Sequence, residues 1–151
     1  MNVLARLQQL GIELPQVAPP LASYVSAVRT GNLVYTSGQL PIEDGRLLRT
    51  GKVGADVSLD EGNALARICA LNALAVVDSL EGLDLVTRVV KVVGFVASAS
   101  GFNGQPSVVN GASELFVELF GDKGRHARSA VGVAELPLGA PVEVELIVEV
   151  G

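Results

Sequence analysis

The chain is poor in the residues that carry most metal, redox and base-stacking chemistry. Its only cysteine, Cys69, excludes an internal disulfide, and one cysteine with one histidine, His126, cannot supply the three or four such ligands a zinc site uses. No metal and no redox pair are therefore expected, and a cytoplasmic setting fits. Tryptophan is absent, and four Phe and two Tyr leave few aromatic faces on which bases could stack. Eleven basic against 16 acidic residues give a net charge of −5, the wrong sign for binding driven by phosphate neutralisation. Nucleic acid is not expected as the main partner. Charges and glycines interrupt every apolar run before the roughly 18 residues of a membrane span, and no cleavage site follows the N-terminal apolar residues, so no membrane contact is expected. The P-loop, zincin, nucleophile-elbow and dinucleotide fingerprints are all missing.

What the chain does have is aliphatic surface. Hydrophobic residues make up 49% of 151 positions although aromatics make up 4%, so the apolar content is mostly Val, Leu and Ala. That length suits one domain over residues 1–151, with a short helical extension at 1–16 in which Val3, Leu4, Leu7 and Leu10 fall on one side. A small domain with this excess would expose large apolar patches, so a homo-oligomer is expected.

The patterning predicts a mixed fold in the order β-β-(β)-α-β-α-β-β. A Gly31-Asn32 turn joins two strands, and Asp44-Gly45 marks a second tight turn, with a sheet edge expected in the segment after it. Ser58 and Glu61 form a capping box ahead of a helix that carries Leu65, Ile68, Cys69, Asn72, Ala75 and Val76 on one face and ends before Gly82. The β-branched run from Val86 predicts a central strand covered on both faces. Val108, Val109, Ala112, Leu115, Phe116 and Leu119 mark a second helix ending at Gly121. Two strands close the chain, the last with Val142, Val144, Leu146, Val148 and Val150 on one side and Glu143, Glu145, Ile147 and Glu149 on the other. One sheet with two helices on one face results, and the other face needs a partner.

Several polar residues stand in this apolar frame. Arg128 opens an apolar strand and needs either an ion-pair partner or a carboxylate ligand, because a guanidinium stays charged. His126 reads as a loop residue or as an acid–base group, and Asn110 as a satisfied polar residue in a helix. Ser37 and Gly38 in "TSGQLP" read as a strand end or bulge, or as an oxyanion cradle. Cys69 reads as core packing or as a reactive thiol. Glu143 and Glu145 read as the wet side of a half-buried strand.

Taken together, "ASYVSAV", "GNLVYTSGQLP", "VVKVVGFV", "VVNGASELFVELFG" and "ARSAVGVAELPLGAPVEVELIV" resemble the reactive intermediate deaminase family, also called the YjgF-type or L-PSP endoribonuclease family. The resemblance runs from about Ala18 to the C-terminus. It implies a chorismate-mutase-like α+β fold and a homotrimer with a central β-barrel and clefts between subunits. It also implies that Arg128 holds a substrate carboxylate and Glu143 positions or activates water. Tyr24, Ser37, Gly38 and Asn110 then line the cleft, with His126 beside them. The family's cysteine two residues after the arginine is Ala130 here, a position that acts through its backbone. The implied reaction is hydrolysis of 2-imino or enamine acids to 2-oxo acids and ammonia, without metal or cofactor. The longer chain and the extended connection at 97–107 place it with a long-chain branch. A non-catalytic trimer binding a small carboxylate metabolite is the alternative, and endoribonuclease activity is disfavoured by the charge and the single histidine.

Overall fold

A computed structural model describes residues 2–151. The chain runs α1 (Val3–Gln9), β1 (Ala27–Thr30), β2 (Leu33–Thr36), β3 (Ile42–Glu43), β4 (Arg46–Leu47), α2 (Leu59–Leu80), β5 (Val86–Ala97), α3 (Gln105–Phe120), β6 (Ala127–Val133) and β7 (Val142–Val150). Five strands form one sheet in the order β1-β2-β7-β5-β6, with β5 and β6 parallel and the other pairs antiparallel. The mixed α+β fold expected from the patterning is the one observed.

Local chemistry accounts for the element ends. Ser58 Oγ accepts from the Glu61 N–H while the Glu61 carboxylate reaches back to the Ser58 N–H, so both free donors at the start of α2 are satisfied. Asp44 and Gly45, at φ 53° and 78°, form the turn of the β3–β4 hairpin. Asn2 caps α1 by accepting from the Ala5 N–H at 2.7 Å, and Arg6 Nε donates to the Glu118 carbonyl at 3.1 Å, tying α1 onto α3.

Helices α2 and α3 pack side by side on one face of the sheet, and the even-numbered valines and Leu146 of β7 are buried beneath them. Leu65, Cys69, Leu74, Phe116 and Val144 belong to one contiguous buried cluster with those residues. Cys69 is fully buried with Sγ 3.7 Å from the Val142 carbonyl, and burial pushes its thiol well up, so it is core and not a nucleophile. By length and apolarity α2 could span a membrane, a property hidden from a search for unbroken apolar runs by its charged residues. More than half of the qualifying stretch is buried inside the fold, which marks a core helix.

Two expectations are corrected. The segment after Asp44-Gly45 does not form a sheet edge, because β3 and β4 make a separate two-stranded hairpin and the edges are β1 and β6. Pro41 interrupts pairing here, and the buried Asn72 side chain donates to the carbonyls of Leu40 and Ile42 at 3.0 and 2.9 Å, holding the chain on α2. Strand β5 does lie inside the sheet, between β7 and β6, but only one of its faces is covered by the described residues. Its valine-rich run reflects a second, open face on which Val93 and Phe95 stand with Arg88 and Lys91, beside exposed Val28, Tyr35 and Val131 and the glutamates of β7.

Candidate functional site

At the end of β2 the chain bulges away from β7, rejoins it at Gln39 and builds one wall of a cavity. Thr36 Oγ1 accepts from the Leu146 N–H at 3.1 Å, Ser37 Oγ donates to the Val25 carbonyl at 2.6 Å, and Gln39 exchanges backbone hydrogen bonds of 2.8 and 3.0 Å with Val144. These bonds fix Gly38 directly over Glu143. The cavity, about 580 Å³, is lined by Leu21, Ala22, Tyr24, Leu40, Pro137 and Leu138 together with Ser37, Gly38 and Glu143. Tyr24 presents its ring to the opening while its hydroxyl accepts from the Leu21 N–H at 3.2 Å. Leu138 sits on the rim at φ 61°, a left-handed conformation costing a non-glycine residue about 1–2 kcal/mol.

Burial, and secondarily the neighbouring Glu145, raises the pKa of Glu143 above the ordinary carboxylate value. The sign follows directly. An acid with a raised folded pKa favours folding below about 4.5 and loses that contribution as pH rises through the folded value. Glu143→Gln is therefore expected to melt higher than the wild type at neutral pH, with the difference closing as pH falls towards 4.5. Thermal melts at the two pH values check this, and a gain that persists undiminished in acid would contradict it.

Gly38 is required here for space. A Cβ at this position would run into the Glu143 carboxyl group, which must then swing away because Gly38 itself is fixed by its neighbours. The backbone at Gly38 lies outside the left-handed region, so alanine is not strained there. Gly38→Ala is expected to keep the melting temperature within a few degrees while lowering about tenfold or more any turnover that uses the Glu143 carboxyl, because displacing such a group by about 1 Å carries costs of this order. Unchanged turnover in a folded Gly38→Ala protein would show that the carboxyl position is not used.

The second group of residues lies on the other side of the sheet. Arg128 is in register with Val92 and Leu146, both of which face the helices, and its Nη1 donates to Asn110 Oδ1 at 2.7 Å and to Ser113 Oγ at 3.2 Å on α3. Among the described residues no carboxylate pairs with it, and its Nε and Nη2 have no hydrogen-bond partner. Of the two readings of Arg128, the ion pair is not formed within the described residues. The two groups that hold it are neutral, and no charge among the described residues balances it. Ala130, two residues along, shares this face and packs against the core. His126 precedes β6 and contacts Ser113 and Gly124 at 2.8 and 2.6 Å.

The residues expected to act together thus fall into two half-sites. Tyr24, Ser37, Gly38 and Glu143 line the cavity, whereas Asn110, His126, Arg128 and Ala130 cluster at the α3–β6 edge. Glu143 is in register with Phe95 on the open face of the sheet, so within one chain it points away from Arg128. Ser113, Thr36, Gln39 and Leu138 were not singled out by the sequence. Ser113 alone left a trace, lying three residues after Asn110 and hence on the same helical face.

A family model described as "YjgF/chorismate mutase-like, putative endoribonuclease" matches residues 4–150. The chain belongs to this family. Among YjgF-like relatives, Protein TCP17 of Trypanosoma cruzi is 49% identical over 150 residues, covering 98% of this chain and 94% of its own. A 2-iminobutanoate/2-iminopropanoate deaminase of Dermatophagoides farinae is 37% identical over 137 residues, covering 91% and 93%. The crystal structure of Atu1372 from Agrobacterium tumefaciens, a YjgF-like protein described as of unknown function, superposes with a TM-score of 0.91 at 46% identity, covering 99% of this chain and 92% of that one.

Proposed function

We propose that the chain hydrolyses 2-imino acids to 2-oxo acids and ammonia in a cleft completed between copies of a homotrimer. The observation that carries this reading is the free edge of Arg128. Its Nη1 is taken by Asn110 and Ser113, which leaves Nε and Nη2 as a parallel pair of donors, the arrangement that grips a carboxylate. The name of the Dermatophagoides relative supports the reaction class.

One copy contributes the arginine edge and a neighbouring copy the cavity with Glu143. The substrate carboxylate docks on Arg128, placing the imine carbon opposite Glu143. The Glu143 carboxylate takes a proton from water as its oxygen bonds to that carbon, giving a carbinolamine. Returning that proton to the nitrogen, which entered protonated as the iminium, lets the C–N bond break; the hydroxyl proton passes to the Glu143 carboxylate as the C=O of the 2-oxo acid closes, and from there to the departing ammonia, which leaves as ammonium. The open face, where exposed Val28, Tyr35 and Val131 stand among Lys91 and the glutamates of β7, supports association of the copies there. No cofactor has a part in this sequence of steps.

A binding-only reading is favoured by one feature: nothing among the described residues donates a hydrogen bond that would orient Glu143, whose environment only raises its pKa. RNA cleavage fits less well, because the sole histidine has both ring nitrogens engaged within the fold. The test is the decay of 2-iminopropanoate and bulkier 2-imino acids generated in situ, with wild type beside Arg128→Ala, after light scattering has confirmed three copies of the 15.6 kDa chain. Acceleration that depends on Arg128 supports the deaminase. No acceleration by a folded trimer that still binds 2-oxo acids in calorimetry would replace it with a carboxylate-binding protein.

A further inference from the structure

The one histidine of the chain is wired to the arginine, and the wiring has a direction. The Gly124 carbonyl can only accept, so the 2.6 Å contact places a proton on His126 Nδ1. In the neutral ring Nε2 is then a bare acceptor, and the 2.8 Å contact commits the Ser113 hydroxyl proton to it. With that proton turned towards the imidazole, a lone pair of Ser113 Oγ faces Arg128 Nη1 at 3.2 Å. Asn110 Oδ1, at 2.7 Å from the same nitrogen, supplies the second acceptor. Phe116 holds the ring edge-on at 5.8 Å between centroids, so the imidazole cannot easily turn over.

We propose that His126 is a positioning residue, which through Ser113 fixes the guanidinium of Arg128 so that its Nε–Nη2 edge faces the substrate carboxylate. The inference rests on the reading of Arg128 as a carboxylate anchor. Without the imidazole, the Ser113 hydroxyl is free to turn its proton back to a carbonyl of its own helix, the usual resting place of a helical serine. One of the two acceptors fixing Nη1 is then no longer held in place, and the guanidinium gains freedom that it must lose on binding.

Burial and the charge of Arg128 both act to keep the ring neutral, against the Gly124 carbonyl, which favours the charged form. The groups around the ring are consistent with this. Strand β6 contributes Arg128, and α3 contributes the neutral Ser113 and Phe116. The turn before β6 contributes the Gly124 carbonyl, with Asp122 and Arg125 paired to each other at 3.5 Å in solvent.

Because the chain has one histidine, its imidazole can be read without assignment in this chain. Nitrogen NMR shifts at neutral pH are expected to show a neutral ring protonated on Nδ1. A proton on Nε2 overturns the relay whatever the protein catalyses. The second measurement is the dissociation constant of pyruvate, together with KM and kcat for 2-iminopropanoate, in Ser113→Ala, His126→Phe and the double variant. His126→Phe keeps a ring against Phe116 but removes the hydrogen bond.

Each single change is expected to weaken pyruvate binding and raise KM about 3- to 10-fold with kcat nearly unchanged, the effect of one lost hydrogen bond. The double variant is expected to match the singles, since both break one path. Multiplying effects, or a lower melting temperature with unchanged binding, would reduce His126 to a packing residue. If the wild type fails to bind pyruvate in a way that Arg128→Ala abolishes, the anchor itself is wrong, while the nitrogen shifts still report on the relay.

Discussion

Arg128→Ala is expected to lower kcat/KM for a 2-imino acid by about 100-fold or more and to leave the fold intact, if the proposed reaction is the one the chain carries out. A bidentate guanidinium–carboxylate contact is two charge-assisted hydrogen bonds, each worth at least about 1.5 kcal/mol, and about 3 kcal/mol together is a factor of about 100 or more. Little of this should appear as lost stability. Arg128 has no carboxylate partner in the chain, and its removal uncovers only Asn110 Oδ1 and Ser113 Oγ in a half-buried region that water reaches. Arg128→Lys restores the charge without the fork and is expected to recover only part of the loss. Steady-state kinetics beside a thermal melt separates the two effects. A folded Arg128→Ala protein within about threefold of wild type would remove the arginine from the reaction.

The largest expected loss of stability comes from a residue with no part in the chemistry. Gly111 lies where α3 crosses α2, and a Cβ there would penetrate the backbone carbonyl of Asn63. Alanine for glycine inside a helix gains about 0.5–1 kcal/mol from propensity alone. Forcing two packed helices apart costs more, typically about 1–3 kcal/mol and higher when the obstacle is backbone, which cannot rotate aside. Packing wins, and Gly111→Ala is expected to lower stability by about 2 kcal/mol, or roughly 4–8 °C in melting temperature for a chain of this size. Helix α3 also carries Asn110 and Ser113, so the shift reaches the arginine and should raise KM alongside. A melting temperature equal to or above that of wild type would show that the helix pair yields at no cost.

Much of the fold was legible because its signals are local. The Ser58–Glu61 box, the Asp44-Gly45 turn and the period-2 alternation of β7 each follow from hydrogen bonds or side-chain direction within a few residues. The β3–β4 hairpin was misplaced because what holds it is Asn72, about 30 residues away on α2. The open face of β5 was misread for a related reason: an apolar strand looks the same in sequence whether its cover comes from its own chain or from another. The site residues were legible through family resemblance, yet their geometry was not. Nothing in the string of residues announces that Arg128 is held by Ser113, that His126 orients the serine, or that Gln39 and Thr36 pin Gly38 over Glu143.

Arg128 and Glu143 point to opposite faces of one sheet, and this has a consequence for how the activity would depend on amount. Under the proposed reaction, a lone chain carries both the anchor and the water-activating group and cannot bring them to one substrate molecule. Chemistry that needs the pair is therefore a property of encounters between chains, absent at high dilution and switched on as copies meet. Newly made chains would remain silent towards their substrate until enough of them had accumulated.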